Sequence, residues 1–185
     1  LGGGERKNIE GVFEAYRLLH GKVPHQLVIG GTNCVEFRRT YGIPGAGWGA
    51  DVHFPGWIDQ QDMPAVLSLA DLYLYPSRLE AFPIPVSEAM ACGVPIVTSD
   101  VNGLEEIAGD AALRVPPEEP EAIADAGLRI LKSREEHARV SAAGLERSKR
   151  YSWDKCAQET LAVLERVYGQ ADFEKSPAPS AAASD

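Results

Sequence analysis

A chain of 185 residues is the length of one ordinary domain with a tail, and 44% hydrophobic with 24% charged residues is the balance of a soluble globular protein. No apolar run approaches the roughly 18–20 residues that cross a bilayer, and no basic-then-apolar signal segment opens the chain. The formal net charge of −9 argues against a nucleic-acid surface, though it leaves room for a local basic pocket.

Cys34, Cys92 and Cys156 are far apart and odd in number, and His20, His25, His53 and His137 show no HExxH or paired Cys/His spacing. The cysteines read as reduced thiols of a cytoplasmic protein, His53 as a structural residue of the strand over 51–54, and no metal site is expected.

The chain opens on Leu1 and a glycine run, without an initiator methionine or room for a full first strand, and so reads as a piece of a longer protein. Gly2-Gly3-Gly4 reads as the end of a strand. Lys7 and Asn8 then open a helix whose Ile9, Val12, Phe13, Tyr16 and Leu19 keep the 3.6 period. GxGxxG is not met, because Lys7 stands where the third glycine belongs. Two cations, Arg6 and Lys7, at the positive end of a helix are electrostatically out of place unless an anion joins them.

Residues 26–30 form a second short strand, 36–41 a short helix, 42–49 a glycine-rich loop, and 51–54 a third strand stopped by Pro55-Gly56. Asp59 suits the N-cap of a helix over 61–69. Leu72 to Tyr75 form a continuous apolar strand, as expected when both faces are covered. Pro83 suits the first turn of a helix from Ile84 to Cys92, which Gly93 ends. Strands follow at 95–98 and 112–115 around a short helix at 104–108, and polar helices at 120–132 and 135–150. Ser152 caps a last helix to Tyr168, and 169–185 is a low-complexity tail expected to be disordered. The alternation predicts an α/β, Rossmann-like three-layer domain: a parallel sheet flanked by helices, with ligands outside the carboxyl ends of the strands.

Glu80 and Glu88 bracket the start of the helix that follows Tyr75. Carboxylates accept strong charge-assisted bonds from neighbouring hydroxyls, and free N–H groups at a helix start seat phosphate. Taken alone, the pair reads as a solvated loop residue, Glu80, and a surface helix residue, Glu88.

The stretch Glu80-Ala-Phe-Pro-Ile-Pro-Val-Ser-Glu88-Ala-Met-Ala-Cys-Gly-Val-Pro-Ile-Val resembles the E-x7-E motif of family 4 (group 1) retaining glycosyltransferases. Arg6-Lys7-Asn8, Phe54-Pro-Gly-Trp-Ile-Asp59, Ala70-Asp-Leu-Tyr-Leu-Tyr-Pro-Ser77 and Tyr151-Ser-Trp153 extend the likeness over residues 1 to about 168. It covers only the C-terminal, donor-binding half of the two-domain GT-B fold. The resemblance implies transfer of a sugar from a nucleotide-diphosphate-sugar to an acceptor hydroxyl, with retention and without a metal or other cofactor. Its implied catalytic residues are Arg6 and Lys7, clamping the diphosphate, and Glu80, binding the sugar hydroxyls. Its implied donor contacts are Gly3, Ile58, Phe82, Ile84 and, on the ribose, Glu88. Trp57 either stacks on the base or packs.

The implied partners are the nucleotide sugar, the missing N-terminal domain, and an acceptor that is a sugar, lipid or small molecule. The last helix would cross to the missing domain or, left exposed, join oligomers; nucleic acid is not a partner. A cytoplasmic place is implied, with any contact to the inner membrane face falling to the missing half. This chain alone is expected to be inactive.

The usual Gly-Phe-Gly is Ala81-Phe82-Pro83 here, and Pro83 and Pro85 remove two N–H donors, leaving Phe82, Ile84 and Val86. A glycine also replaces the arginine that many members carry after the first glycine of the opening strand. Two other readings remain open: a nucleotide-sugar epimerase of the non-hydrolysing type, and a non-catalytic partner-binding module of the same fold.

Overall fold

The computed structural model describes residues 4–31 and 34–170. Gly3 and the tail beyond 170 lie outside the described residues. In chain order the elements are α1 (Gly4–Lys7), α2 (Ile9–Leu19), β1 (Leu27–Gly30), α3 (Cys34–Thr40), β2 (Val52–Gly56), α4 (Met63–Ser68), β3 (Tyr73–Tyr75), α5 (Ile84–Ala91), β4 (Ile96–Ser99), α6 (Asn102–Ala108), β5 (Leu113–Val115), α7 (Pro120–Lys132), α8 (Arg134–Ser148) and α9 (Trp153–Gln170). Short 3-10 turns precede β2 and β5. One unit ends at Arg150 and a second begins at Tyr151.

Every strand pairing is parallel, in two ladders. β1 pairs with β2, and β4 lies between β3 and β5. All four residues of β4 are buried, which explains its unbroken apolar and hydroxyl run. Tyr75 lies opposite Thr98, and Ser99 opposite Val115. The register brings the carboxyl ends of these three strands to one level.

Helix α2 serves both ladders. Ala15 and Leu19 join Val97, Ile123 and Ile130 in one buried cluster, with Leu72, Leu74 and Leu113 packed against it. Phe13 and Tyr16 join Val52 and Ile43 in the other, with Leu27, Ile29 and Phe54 at its edge. The 3.6 period of the sequence thus feeds two apolar faces, and each large side chain buried there contributes about 1.5–3 kcal/mol relative to exposure.

Asn8 fixes where α2 starts. It is buried and takes a left-handed φ of 53°, which asparagine tolerates better than most residues. Its Oδ1 accepts from the Gly11 N–H at 3.3 Å, and its Nδ2 donates to the Pro117 carbonyl at 2.6 Å. The helix start is therefore tied to the segment after β5. Gly11 is required, because a Cβ there would press on the Asn8 amide at 2.6–2.9 Å.

Several local expectations change. Gly4 belongs to a helical turn and not to a strand. Asp59 does not cap α4, whose N-cap is Asp62; the Asp59 carboxylate instead accepts from the Trp57 indole at 3.2 Å. Pro83 sits at the N-cap of α5, with Pro85 inside the first turn. Helix α6 begins at Asn102, two residues before its expected start. Ser152 does cap α9, accepting from the Lys155 N–H at 3.1 Å. Taken by itself, α9 carries exposed Trp153, Leu161, Leu164 and Val167. No helix among the described residues is long and apolar enough to cross a membrane.

Replacing Asn8 with alanine removes a cap and a buried hydrogen bond and leaves a Cβ at positive φ. Urea unfolding is expected to show a loss of about 2–4 kcal/mol, with Asn8→Gly about 1 kcal/mol milder because glycine carries no left-handed penalty. Equal losses in the two variants would contradict this account of the turn.

Candidate functional site

The loop after β3 is pinned at its root. Thr98 Oγ1 donates to the Tyr75 carbonyl at 2.9 Å, and Ser99 Oγ donates to the Ser77 carbonyl at 2.6 Å; both side chains are buried. The backbone N–H of Arg78 donates to the Arg6 carbonyl at 2.8 Å, and Arg78 Nη1 donates to the Glu5 carbonyl at 2.7 Å. The turn α1 is thereby stitched to the loop, which brings Arg6 and Lys7 against Glu80.

Glu80 is the hub of what results. Its side chain is only 6% exposed, and its carboxylate meets two cations: Arg6 Nη1 lies 2.8 Å from Oε2 and Lys7 Nζ 2.9 Å from Oε1. Tyr75 donates its hydroxyl to Oε1 at 2.8 Å, and the Ser77 hydroxyl lies 3.0 Å from the same oxygen. Lys7 also donates to the Tyr75 hydroxyl, and its Nζ lies 4.5 Å from the centroid of that ring. Burial pushes the Glu80 carboxyl up, but the hydrogen bonds from Lys7, Tyr75 and Ser77 and the Lys7 charge outweigh it, so the net shift is downward. Burial, then the bond to Glu80, push the Tyr75 phenol far above its ordinary value.

Two cations against one carboxylate leave one formal positive charge in excess. Arg6 is 42% exposed and uses Nη1 for Glu80 and for the Leu79 carbonyl at 3.1 Å. Among the described residues its Nε and Nη2 have no protein partner. That is the arrangement for taking an anion from solvent.

Phe82 and Ile84 are exposed on the loop and at the first turn of α5. The Ile84 N–H donates to the Phe82 carbonyl at 3.0 Å and the Val86 N–H to the Pro83 carbonyl at 2.9 Å, so these two backbone donors are spent within the chain. Glu88 is exposed on α5, and among the described residues its carboxylate makes no hydrogen bond or ion pair. Burial, then the charges of Glu88 and Glu80, push the Tyr73 phenol up. Gly103 lets the first turn of α6 meet this loop, where a Cβ would run into the carbonyl oxygens of Glu80 and Ala81.

Ile58 is half-buried over Gly30, whose missing Cβ makes room for its Cδ1. Trp57 does not pack: it is 72% exposed. The structure therefore brings Arg6, Lys7 and Glu80 into direct contact, while no hydrogen bond or ion pair among the described residues joins Ile58 or Glu88 to them. Among the described residues no group of three His, Cys, Asp or Glu side chains forms a metal cluster. Tyr75 and Ser77 are the site residues that sequence reasoning passed over. Their signal was the presence of hydroxyls at and just beyond the carboxyl end of a continuous apolar strand.

Glu80→Gln removes the charge and leaves Lys7 poorly answered, at a cost of about 1–3 kcal/mol at pH 7. Because the folded-state pKa of Glu80 is depressed, its ionic contribution is complete above about pH 5 and is lost as pH falls through the folded value. Urea titrations across pH should show the deficit of the variant shrinking on acidification; a deficit constant from pH 3 to 7 would contradict the ionic account.

Residues 3–147 match the family model described as "Glycosyl transferases group 1". The O-antigen chain mannosyltransferase B of Escherichia coli is 33% identical over 162 residues, covering 84% of this chain and 42% of that protein. The D-inositol 3-phosphate glycosyltransferase of a Nocardioides species is 33% identical over 135 residues, covering 71% and 30%. Among solved structures, the sucrose-phosphate synthase of Thermosynechococcus elongatus superposes with a TM-score of 0.76 at 27% identity, over 90% of this chain and 43% of that one. Anabaena HepE, solved with UDP-glucose, superposes at 0.77 with 19% identity over 87% and 46%, a likeness of fold. The chain thus spans less than half the length of these relatives. With the parallel α/β fold and the Arg6–Lys7–Glu80 cluster, the match places the chain in the group 1 glycosyl transferases, as a domain of GT-B type.

Proposed function

We propose that this chain is the donor-binding half of a retaining glycosyltransferase, which holds a nucleoside-diphosphate sugar while its sugar passes to an acceptor hydroxyl. The observation that carries the reading is the nearly buried Glu80 locked to Lys7 and Arg6, with one positive charge in excess and the Arg6 guanidinium open to solvent. Arg6 and Lys7 meet the diphosphate and stabilise the charge that grows on it as the glycosidic bond breaks, without any reorganisation of solvent. Arg6 bridges Glu80 and phosphate, since Nε and Nη2 serve the ligand while Nη1 keeps the carboxylate.

Glu80 accepts from sugar hydroxyls and Glu88 from the ribose diol, each a charge-assisted bond. Phe82, Ile84 and Ile58 supply apolar contact, and Trp57 is free to stack on the base. Because Pro83 and Pro85 lack N–H groups and the Ile84 and Val86 donors are occupied, the two cations carry the phosphates more than the start of α5 does. The acceptor site belongs to sequence outside this chain. By itself the chain binds nucleotide weakly and does not sustain transfer.

The test is calorimetric titration of the chain with UDP, GDP and ADP and their sugar conjugates. A nucleoside-diphosphate mannose belongs in the panel because the E. coli relative is named as a mannosyltransferase. One base is expected to bind, and Glu88→Ala is expected to weaken it about 10- to 100-fold through loss of the ribose contact. Failure of every nucleotide at millimolar concentration, on this chain and on a chain carrying the acceptor half, would overturn the reading.

A further inference from the structure

Glu80 presents two oxygens in unlike surroundings. Oε1 faces inward to Lys7, Tyr75 and Ser77, whereas Oε2 meets Arg6, the exposed member of the pair. A carboxylate on a loop rotates about its last torsion at little cost unless one oxygen is held. Lys7 alone does not hold it, because an ammonium offers three donors and no fixed plane. Ser77 has one hydroxyl proton and three acceptors around it, the Arg6 carbonyl at 2.8 Å, Oε1 at 3.0 Å and the Leu79 carbonyl at 3.3 Å, so its hold is divided. The Tyr75 hydroxyl gives the firmer hold: it donates to Oε1 and accepts from Lys7, and its ring underlies the same ammonium.

The ring itself is fixed. It comes from the last residue of β3, its carbonyl is held by Thr98, and it stacks on Tyr73 at 6.0 Å and 19°. With its pKa driven up by burial and by Glu80, the phenol keeps its proton and stays a donor.

We propose that Tyr75 is a positioning residue for sugar recognition: wedged between Lys7 and Glu80, its hydroxyl holds Oε1 inward so that Oε2 is the oxygen offered to the sugar beside Arg6. This rests on the reading of Glu80 as the sugar-hydroxyl acceptor. It assigns Tyr75 no contact with the donor and no part in bond making.

The test compares Tyr75→Phe, which keeps the ring under Lys7, with Tyr73→Phe, which removes a hydroxyl two residues earlier on the strand. The Tyr73 hydroxyl has no hydrogen-bond partner among the described residues. Carboxyl-carbon NMR of the ligand-free chain follows the titration of Glu80, and calorimetry compares each nucleoside diphosphate with its sugar conjugate. In Tyr75→Phe the Glu80 titration is expected to move to higher pH, and the advantage of the conjugate over the bare diphosphate to fall about 3- to 10-fold. Affinity for the bare diphosphate should stay within about twofold of wild type, and Tyr73→Phe should match wild type throughout.

A wild-type Glu80 titration in Tyr75→Phe, or an equal effect from Tyr73→Phe, overturns the proposal. Should Tyr75→Phe fail to fold, the wild type decides: a hydroxyl proton of Tyr75 protected from solvent exchange supports the proposal, and rapid exchange overturns it. Absence of nucleotide binding by wild type would instead defeat the donor-site reading, while the Glu80 titration still judges the hold of Tyr75 on the carboxylate.

Discussion

A carboxylate removed from water stays ionised only if its charge is answered at close range, and the site of this protein is arranged around that condition at Glu80. Lys7 and Arg6 answer it from a turn more than seventy residues away in sequence, and Tyr75 and Ser77 complete its hydrogen bonds. None of these four side chains holds position alone. Lys7 needs the ring beneath it, and Arg6 needs the Leu79 carbonyl as well as Glu80. Arg6, 42% exposed, faces outward, while Lys7, 14% exposed, sits deeper in the hub.

The fold delivers these groups by few devices. Because α2 fills both apolar clusters, its N-terminal end is set relative to both parallel ladders at once. Asn8 then fixes the chain direction at that end and ties it to the segment after β5. On the other side, Thr98 and Ser99 hold the root of the loop after β3 from the neighbouring strand, and Gly103 lets α6 close against it. Each device is polar or conformational and sits at the carboxyl ends of the strands, whereas the clusters that supply most of the burial lie behind them. Stability and site are thus built from different residues joined by one helix.

Much of this was legible in the sequence, for physical reasons. The continuous apolar run Leu72 to Tyr75 fits a strand of a parallel sheet, and β3 forms over Tyr73–Tyr75. The two cations before Asn8 were legible as an anion site, although they lie in the last turn of α1 and not at the positive end of a helix. What stayed hidden depends on contacts distant in sequence. Asp59 looks like a cap by spacing but is taken by the Trp57 indole. Pro83 and Pro85 show that donors are missing, yet not that the Ile84 and Val86 N–H groups turn inward. The close approach of Gly103 to the Glu80 carbonyl is likewise encoded by no local pattern. Tyr75 and Ser77 read as the end of a strand because their partners, Lys7 and Glu80, meet them only in three dimensions.

The central claim is that Lys7 and Glu80 are energetically one unit, and a double-mutant cycle measures it most directly. Lys7→Met, Glu80→Gln and the double variant would be unfolded in urea at pH 7 beside the wild type. Removal of both charges together should cost less than the sum of the single removals, with a coupling of about 1–3 kcal/mol. A coupling below about 0.3 kcal/mol, within the range of independent sites, would contradict the account and reduce the hub to a set of neighbours.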